Sequence, residues 1–570
     1  MKTAVGSSVV WKQYPQSPEL CARISETLQI SPAIAQVLLN RDLRSIDKIV
    51  AFLNPGDPNL SEITLEQSSL EAASQLIMGH IAAQSPILVY GDYDADGVTS
   101  VSIITQALRA AGANVSYYVP DRFTEGYGLG MFILDVLETR KTKCLITLDC
   151  GISNVAEITA IKSEFEIDVI VLDHHIEPDP LPPADVILNP KRLDPDHGAH
   201  YLCTAGISYK WVSYLAKNHN FPIDPTHYLD LAAIGTIADI APLTGENRSL
   251  TKAGLLAMAR PHRSGLRHLF DLSERKTSHV TVRDIGFSIA PRINAAGRLT
   301  HAKLGVELLL AEGDAALPLA QELHHINQKR QEIGQLMVED AIRQLDDDPS
   351  LSDCPVIALA SDGWHSGVIG ITAAQLCRKY SRPTILIAIR DGVGRGSARS
   401  FGTVDVHALL SQCRHLFTGF GGHKEAAGFS IPFAHISEFL ATIRGVAAES
   451  INPDELVSTI MIDRSLSPQE MTLELAEAVT HLAPFGPRND PPLFYTNQLK
   501  AVDFRPVGNG EHLKVTFSDA SGKIVVDGIG FGLAKKRNQL QKPFPELVFM
   551  LEINEWQNRK LVQLNLVDIR

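Results

Sequence analysis

Three aspartates occupy alternate positions in the segment GDYDADG, directly after a short apolar run. Asp92, Asp94 and Asp96 are followed by Gly97, which frees the backbone to turn from an expected strand into an expected helix. The segment matches the first six positions of an EF-hand calcium loop, but position twelve is Ile103 instead of glutamate. That mismatch disfavours a calcium loop. Two interpretations remain for this segment alone, a site for another divalent cation and a set of turn and cap residues.

The same pattern recurs at the ends of two further apolar runs. Asp149 ends LITLD, and Asp173, His174 and His175 end VIVLDHH. Turn formation does not explain adjacent histidines, whereas carboxylates with one or two imidazoles suit Mn²⁺ or Mg²⁺ better than Zn²⁺. The sequence therefore predicts a pair of such ions, about 3.5 to 4 Å apart, which would clamp the attacking and leaving oxygens in phosphoryl hydrolysis.

Asp239 is a further candidate ligand. It lies in the apolar stretch LAAIGTIADIAPL, where a carboxylate that faces the core has to be paired or bound to a metal. The alternative is an exposed aspartate at a helix end. The chain has no GxxxxGK[ST], no GxGxxG after a strand and no GxSxG, so a metal-dependent phosphoesterase is the class that remains.

Bulk composition is that of an ordinary soluble globular protein with about three or four domains, since 45% of the 570 residues are hydrophobic and 21% are charged. We find no signal peptide and no bilayer-spanning run, and seven cysteines without a CxxC pair fit a reducing compartment, so we expect a cytoplasmic protein. The net charge of −13 argues only weakly against a nucleic-acid partner, because binding depends on local charge.

Short apolar runs that alternate with helical stretches must position these ligands. From Ile87 onwards the runs ILVY, NVSYYV, CLITLD, DVIVLD and DVILN predict βαβ units and a parallel sheet. Ligands of such sheets bind beyond the carboxyl ends of the strands, which is where the acidic motifs fall. We therefore expect a multidomain α/β fold.

Five segments are expected along the chain: a helical N-terminal segment (1–84), a parallel-sheet catalytic domain (85–300), a long helical connector (301–349), a second α/β domain (350–453) and an OB-fold β-barrel (454–570). The second α/β domain contains the Gly-rich stretches GVGRGSARS and GFGGHKEAAG. The barrel is predicted from short alternating strands, of which STIMID is the first and LVQLNLVDI the last.

The motifs GDYDADG, LDCG, DHH and IGTIAD, in this order, resemble those of the DHH phosphoesterase superfamily. Within it, APRINAAGR, GWHSGVIGI and the two Gly-rich stretches resemble the RecJ family and its DHH-associated domain, and the terminal barrel is similar to that family's OB domain. The resemblance covers nearly the whole chain. It implies a two-metal exonuclease of DNA repair and recombination that hydrolyses single-stranded DNA from the 5′ end to 5′-mononucleotides.

Carried over position by position, the resemblance implies a set of metal ligands in which Asp149 bridges the two ions: Asp94, Asp96, Asp149, His174 and Asp239. Asp92 and His175 would each be a ligand or the partner of one, with His175 counted among the catalytic residues. Some superfamily members have a histidine at the position of Tyr90, which makes Asp92 the natural substitute here.

A 5′-phosphate pocket is also implied, in which Arg292, Asn294 and Arg298 face Ser397 and Arg399. Arginine offers a fork of donors to phosphate oxygens, and the backbone N–H groups of Gly-rich loops can approach an anion closely. The glycines concerned are Gly396, Gly421 and Gly422, although such loops can also merely turn the chain. His365 and His423 are expected to contact substrate rather than metal.

For capture of the single strand we expect Arg122 and, in the barrel, His512, Lys514 and the run 535–537. The expected enzyme is a monomer without membrane contact, which would take its DNA from a single-strand-binding protein and a helicase. Two other functions are possible from the sequence. A phosphodiesterase for short oligonucleotides or cyclic dinucleotides is disfavoured by the barrel, and a non-enzymatic binding protein is disfavoured by the intact acidic set.

Overall fold

A computed structural model describes residues 9–58, 65–351, 353–556 and 559–570 of the chain. These residues form two compact units. The smaller unit consists of the described residues up to Lys12 together with His325–Met461, and the larger one of Gln13–His324 and Ile462–Arg570. No helix among the described residues has both the length and the apolar character that crossing a lipid bilayer requires.

The N-terminal part contains a strand and four helices: β1 (Val10–Gln13), α1 (Pro18–Leu28), α2 (Pro32–Leu39), α3 (Ile46–Leu53) and α4 (Gln67–Ala82). Serine caps start two of them, because the side chains of Ser31 and Ser45 accept hydrogen bonds from the N–H groups of Ile34 and Lys48. The helical character expected for this segment is therefore present in its described residues.

A five-stranded parallel sheet follows, with the spatial order β3-β2-β4-β5-β6. Its strands are β2 (Ile87–Gly91), β3 (Val115–Tyr118), β4 (Cys144–Leu148), β5 (Asp168–Leu172) and β6 (Val186–Leu188). The central strands β2 and β4 are buried along their whole length, as continuous apolar runs predict for a sheet covered on both faces. The parallel α/β domain expected from the sequence is confirmed.

Helices cover this sheet and continue the chain: α5 (Ala95–Ala110), α6 (Ile133–Arg140), α7 (Val155–Glu164), α8 (Thr204–Asn218), α9 (Leu229–Ala238), α10 (Gly245–Met258), α11 (Ser264–Leu272), α12 (Val282–Asp284), α13 (Ala290–Leu299), α14 (Lys303–Leu310) and α15 (Ala316–Asp347). A π-helical turn, Ile285–Ile289, joins α12 to α13. The long helix α15 lies within the segment for which a helical connector was expected.

The smaller unit has a second, mixed sheet with the order β10-β11-β9-β8-β7. Its strands are β7 (Ile357–Ser361), β8 (Thr384–Arg390), β9 (Val393–Arg399), β10 (Gly419–Gly422) and β11 (Ala426–Pro432), and its further helices are α16 (Ile369–Tyr380), α17 (Val406–Ser411) and α18 (Ile436–Ser450). Only β7 and β8 pair in parallel; the other neighbours are antiparallel.

The Gly-rich stretches of this unit lie mainly in strands, where loops were expected. Gly396 lies in β9 between β8 and β11, so its backbone groups face neighbouring strands. A Cβ atom at Gly396 would lie 2.1 Å from Cζ of Phe429, so this glycine makes room for an aromatic ring. Gly421 and Gly422 belong to β10, which is an edge strand.

The C-terminal part forms a seven-stranded sheet in the order β13-β14-β18-β19-β17-β16-β15. The elements are β12 (Thr459–Ile462), β13 (Arg464–Ser465), α19 (Leu473–Thr480), β14 (Phe494–Thr496), β15 (Lys500–Val507), β16 (His512–Ser518), β17 (Val525–Gly530), β18 (Leu547–Trp556) and β19 (Arg559–Ile569). The predicted strand STIMID is present as β12, but it pairs with β1 instead of joining this sheet. A strand this short can pair with any available strand edge, and the sequence alone does not show which strand becomes its partner.

The N-terminal helices are divided between two hydrophobic cores. Ile24, Leu38 and Ile49 of α1 to α3 share a core with Phe494 and Phe549 of the C-terminal sheet. Helix α4 instead contributes to the core of the parallel sheet through Leu70, Ala73 and Ile77. Amphipathic helices can bury their apolar faces against any partner, so the sequence did not show which core each helix would join. The five-segment division of the chain stays a prediction.

Candidate metal centre

Three neighbouring strands of the parallel sheet each end in an aspartate. Asp92 follows β2, Asp149 follows β4 and Asp173 follows β5, and the three strands lie side by side. Each of the three backbone N–H groups still donates to the end of the next strand, at 3.1 to 3.2 Å. The carboxyl edge of the sheet therefore brings the three acidic motifs to one place, as the sequence predicted.

The start of α5 presents Asp94 and Asp96. One carboxylate oxygen of Asp94 accepts hydrogen bonds from the N–H groups of Asp96 (2.9 Å) and Gly97 (3.1 Å) and thereby caps the helix. A Cβ atom at Gly97 would lie 2.4 Å from the carbonyl oxygen of Asp92, so only glycine fits this sharp turn. The turn folds the DYDAD segment back over the strand end.

Two histidines and Asp239, the residue that caps the C-terminus of α9, complete the cluster. His174 Nε2 lies 3.2 Å from Asp149 Oδ1, and His174 Nδ1 lies 3.8 Å from Asp239 Oδ2. Three groups could each hold a cation, because their ligand atoms lie within 4.8 Å of one another: Asp149 with His174 and His175, Asp96 with His174 and Asp239, and Asp92 with Asp94 and Asp149. The structure thus joins all seven of these predicted residues, which together form the metal centre.

The electrostatics of the metal centre are those of crowded carboxylates. Burial, followed by the charges of neighbouring aspartates, raises the pKa of Asp149 and of Asp92 well above the usual range. The same two causes raise the pKa of Asp96 to about 6 and that of Asp239 to about 9. Burial and the neighbouring His175 lower the pKa of His174 to about 3, which leaves its imidazole neutral and able to bind a metal.

Asp92 supplies a direct sign that this cluster is built for a cation. Its Oδ1 atom is buried and accepts no hydrogen bond from any described residue. An uncompensated carboxylate oxygen inside a protein is costly unless a cation or a donor meets it. The oxygen-rich ligand set with imidazole fits Mn²⁺ or Mg²⁺.

Asp173 orients a histidine instead of joining the ligand groups. Its Oδ1 accepts from Nδ1 of His175 at 2.7 Å, and its Oδ2 accepts from the N–H of Ile152 at 3.1 Å. Burial alone would raise the pKa of Asp173, but the hydrogen bond and the charge of His175 outweigh burial and lower that pKa. Sequence reasoning assigned no role to Asp173, although its place before the two histidines was the available signal.

Thr204 was missed by the sequence reasoning. Its Oγ1 donates to Asp149 Oδ1 at 3.2 Å, and its N–H donates to Asp96 Oδ2 at 2.8 Å. The next N–H, of Ala205, donates to Asp96 Oδ1 at 2.9 Å. The N-terminus of α8 therefore fixes two of the predicted ligands, and no local pattern in the sequence announces this contact.

Tyr90 does not take part in the metal centre. Its side chain is fully buried and its hydroxyl donates to the carbonyl of Gly128 at 2.7 Å. The ring stacks on Tyr118 with centroids 5.7 Å apart. A tyrosine at this position thus packs beside the sheet, and Asp92 remains the candidate for the extra ligand.

Two of the predicted substrate contacts of the larger unit, Asn294 and Arg122, border the DYDAD turn. Asn294 Oδ1 accepts from the N–H of Ala95 at 2.8 Å, so this side chain positions the start of α5. The Arg122 guanidinium lies 5.0 Å from the ring centre of Tyr93. Arg292 and Arg298 are both on α13, where Arg292 donates to the carbonyl of Ser288 at 2.5 Å.

In the smaller unit, Ser397 and Arg399 lie on β9, Gly422 ends β10 and His423 follows it. Arg399 Nη1 donates to Ser397 Oγ at 3.0 Å on β9. The backbone of Gly422 pairs with Ala427, and His423 begins the turn into β11. His365 precedes α16, and its carbonyl accepts from the N–H groups of Val368 and Ile369.

The C-terminal sheet has a half-buried histidine beside an exposed aromatic ring. His512 lies 5.3 Å from Phe531, which is 62% exposed, and Lys514 is exposed on the same strand as His512. Lys536 forms an ion pair with Asp568, so a carboxylate of the same sheet already neutralises one of the predicted positive charges.

Comparison with known protein families identifies three regions. Residues 86–236 match the DHH family, N-terminal domain; residues 353–449 match the DHHA1 domain; and residues 462–568 match the RecJ OB domain. The third match identifies the C-terminal sheet as the expected OB fold.

Similarity to individual proteins extends over nearly the whole chain. It is 32% identical to the single-stranded-DNA-specific exonuclease RecJ of Bacillus subtilis (strain 168) over 574 residues, covering 99% of this chain and 71% of that protein. The crystal structure of RecJ in complex with Mn²⁺ from Thermus thermophilus superposes with a TM-score of 0.83 at 29% identity, covering 99% of this chain and 79% of that one. The corresponding Mg²⁺ complex gives 0.77 at 28% identity, with 99% and 78% covered.

Proposed function

Because the chain belongs to the RecJ family of single-stranded-DNA-specific exonucleases, we propose that it hydrolyses single-stranded DNA with the help of two divalent cations, Mn²⁺ or Mg²⁺. The observation that carries this proposal is the metal centre, in which three ligand groups are linked by Asp149 and His174, each of which belongs to two of the groups. Two of these groups include Asp149, so this carboxylate would hold both ions.

The residues present fit the metals. The buried Asp92 Oδ1 has no donor among the described residues, and neighbouring carboxylates raise the pKa values of Asp92 and Asp149 beyond what burial does alone. Asp94, Asp96, Asp149, His174 and Asp239 would hold the ions, with Asp92 as a further ligand. When bound, the ions supply a lowered pKa for water and positive charge next to the phosphate.

The protein's own residues hold this centre in place. The N–H groups that begin α8 keep the Asp96 carboxylate oriented at 2.8 and 2.9 Å, and the Thr204 hydroxyl does the same for Asp149 at 3.2 Å. Asp173 accepts from Nδ1 of His175 and so fixes the orientation of that ring at the metal centre. His175 is the residue that we assign to receive or relay a proton during hydrolysis.

Phosphate contacts complete the proposal in each unit. In the larger unit, Arg122 would contact the strand and Arg292 and Arg298 its 5′-phosphate, while Asn294 would act through the start of α5. In the smaller unit the residues assigned to phosphate are His365, Ser397, Arg399, Gly422 and His423. In the C-terminal sheet, Phe531 and His512 would stack on bases and Lys514 would supply charge, which suits a strand of any sequence.

We further propose that hydrolysis starts at the 5′ end and releases 5′-mononucleotides, and that the enzyme serves DNA repair and recombination in the cytoplasm. In this role it would act as a monomer and receive its substrate from a single-strand-binding protein and a helicase. The family membership supports these finer statements.

The decisive experiment incubates the purified protein with Mn²⁺ and 5′-labelled single-stranded DNA of about 30 nucleotides. A duplex and an Asp149→Ala variant serve as controls. We expect early release of labelled mononucleotide from the single strand, and none from the duplex or with the variant. An intact 30-mer together with cleaved dinucleotides would instead identify a phosphodiesterase for short oligonucleotides.

A further inference from the structure

A tight turn in the C-terminal region, Gly486–Pro487–Arg488–Asn489, holds an arginine in a left-handed backbone conformation. Gly486 and Asn489 exchange two backbone hydrogen bonds, of 3.0 and 2.8 Å, across the turn. Arg488 has φ = 61°, at a position after proline where turns of this kind normally use glycine. A side chain in this conformation costs on the order of 1 kcal/mol, so the arginine is retained at some expense to stability.

The turn is rigid because its last residue is anchored in the interior. The Asn489 side chain is fully buried and donates to the carbonyls of Leu482 (2.9 Å) and Pro484 (2.8 Å). It also accepts from Nε of Arg41 at 2.9 Å. Little freedom is left for the backbone that presents Arg488.

The same turn docks beside the segment that carries a predicted metal ligand. The N–H of Leu243 donates to the carbonyl of Pro487 at 2.9 Å. Leu243 comes four residues after Asp239. This contact therefore places Arg488, which is distant in sequence from Asp239, near the metal centre.

Two cations share one aromatic ring at this place. The guanidinium carbon of Arg488 lies 4.3 Å from the centre of the Tyr201 ring, and Nζ of Lys191 lies 5.2 Å from the same centre. Burial lowers the pKa of Lys191, the charge of Asp239 opposes that effect and the charge of Arg488 adds to it. Across the described residues, no carboxylate lies within ion-pair distance of Lys191 or Arg488, although Lys191 donates to the carbonyl of His200 at 3.3 Å.

We infer that Lys191, Tyr201 and Arg488 form a binding site for a backbone phosphate of single-stranded DNA beside the metal centre. Two neighbouring cations with no carboxylate of the described residues at ion-pair distance attract an anion, and the guanidinium fork matches phosphate oxygens. The ring of Tyr201 holds both side chains in place through cation–π contacts. The inference rests on the proposed function, since it takes the substrate of that function as the anion.

The test variant is Arg488→Gly in the full-length protein. Glycine adopts φ = 61° without strain, so the substitution removes the charge while the turn is preserved. A matched control exists in Lys141→Gly, because Lys141 is also exposed, also has a positive φ (53°) and caps α6 ahead of β4, at the sheet edge opposite to the metal centre. Both variants lose one positive charge and one strained backbone conformation.

Affinity for a fluorescent single-stranded 30-mer is measured by anisotropy in EDTA, over a range of KCl concentrations. Each phosphate contact to a single strand contributes about 0.7 to the slope of log affinity against log salt. We expect Arg488→Gly to reduce that slope by about 0.7 and the affinity at 0.1 M KCl by about five-fold. Lys191→Met should behave like Arg488→Gly, and Lys141→Gly should match the wild type.

Equal slopes for Arg488→Gly and Lys141→Gly would overturn the inference, whatever the nuclease assay shows. A reduced slope for Arg488→Gly together with a wild type that releases no mononucleotide would leave the phosphate site in place and refute the proposed function. The two failures are distinguishable because the binding measurement contains no metal and requires no hydrolysis.

Discussion

Arg248 and Asp149 are both almost completely buried, at 1% and 3% exposure, yet their surroundings differ in kind. Arg248 lies on α10 and donates to the carbonyls of Phe52, Leu482 and Ala483 at 2.9 Å each. Its guanidinium carbon also rests 3.9 Å from the ring centre of Phe52. This cation is surrounded by acceptors, and its contacts connect α10 with the end of α3 and with the segment after α19.

Asp149 has the opposite environment. Its neighbours are mainly other carboxylates, and burial together with their charges raises its pKa well above the usual range. Elsewhere in the same unit buried charges are paired, as in the contacts of Lys210 with Glu246 (2.7 Å) and of Arg263 with Asp230 (2.9 Å). A buried charge with partners connects elements within the fold, whereas a buried cluster of charges of one sign indicates a ligand-binding site.

The largest effect is expected from Asp149→Asn. The substitution removes the shared ligand of two cation groups, so kcat/KM with Mn²⁺ should fall by more than about 100-fold, the upper loss seen for outer partners of metal ligands. In EDTA the same variant should unfold at a higher temperature than the wild type, because one member of a crowded, buried group of carboxylates is gone. Loss of both activity and thermal stability would contradict the description of this cluster as a strained binding site.

Arg248→Met tests the buried cation whose hydrogen-bond acceptors surround it. It leaves several buried carbonyls without a donor, and we expect a loss of about 3–5 kcal/mol in the free energy of unfolding, measured with urea. The control is Arg267→Met, an exposed arginine on the neighbouring helix α11, which should change stability by less than about 0.5 kcal/mol. Equal effects of the two substitutions would show that the Arg248 contacts contribute little.

Thr204→Val should weaken metal binding without unfolding the protein. The valine keeps the shape of the side chain but removes the donor to Asp149 Oδ1, and loss of such an outer partner typically costs about 10–100-fold in metal affinity. Thr204→Ser retains the hydroxyl and should restore most of the affinity. The Mn²⁺ concentration that gives half-maximal thermal stabilisation measures both variants.

The pH dependence of metal stabilisation is the smallest of the expected effects. The pKa of Asp239 is about 9 in the folded, metal-free protein, against the ordinary value of 3.8. The folded state therefore binds a proton that the unfolded chain has released, so this residue makes the metal-free protein less stable as the pH rises from about 4 to about 9. Bound Mn²⁺ removes that penalty.

The rise in unfolding temperature caused by Mn²⁺ should accordingly increase between pH 6 and pH 9. Asp239→Asn provides the control, since it lacks this titrating group and should show a weaker increase. A stabilisation by Mn²⁺ that does not change with pH would falsify the assignment of Asp239 to the proton-binding part of the centre.

Much of this molecule could be predicted from local patterns. Apolar runs of four or five residues between helices indicated the parallel sheet, and the rule that ligands gather at the carboxyl ends of its strands placed Asp92, Asp149 and Asp173 together. The pattern also indicated the acidic ligands of α5. The same patterns wrongly predicted loops for the Gly-rich stretches of the smaller unit, which are mainly strands. In the sequence, a glycine that makes room for Phe429 in a strand looks the same as a glycine that turns a loop.

The chain's sequence by itself determined which carboxylates and histidines gather at the carboxyl edge of the parallel sheet, since residue type and strand position are local properties. Only the tertiary structure decided which distant groups contact these and other buried or charged side chains. The start of α8 supplies Thr204 to Asp149, the acceptors around Arg248 come from α3 and from the segment after α19, and the Gly486–Asn489 turn brings Arg488 to Tyr201. Such contacts join residues far apart in the chain, and their formation depends on how whole helices and sheets pack, which no local pattern records.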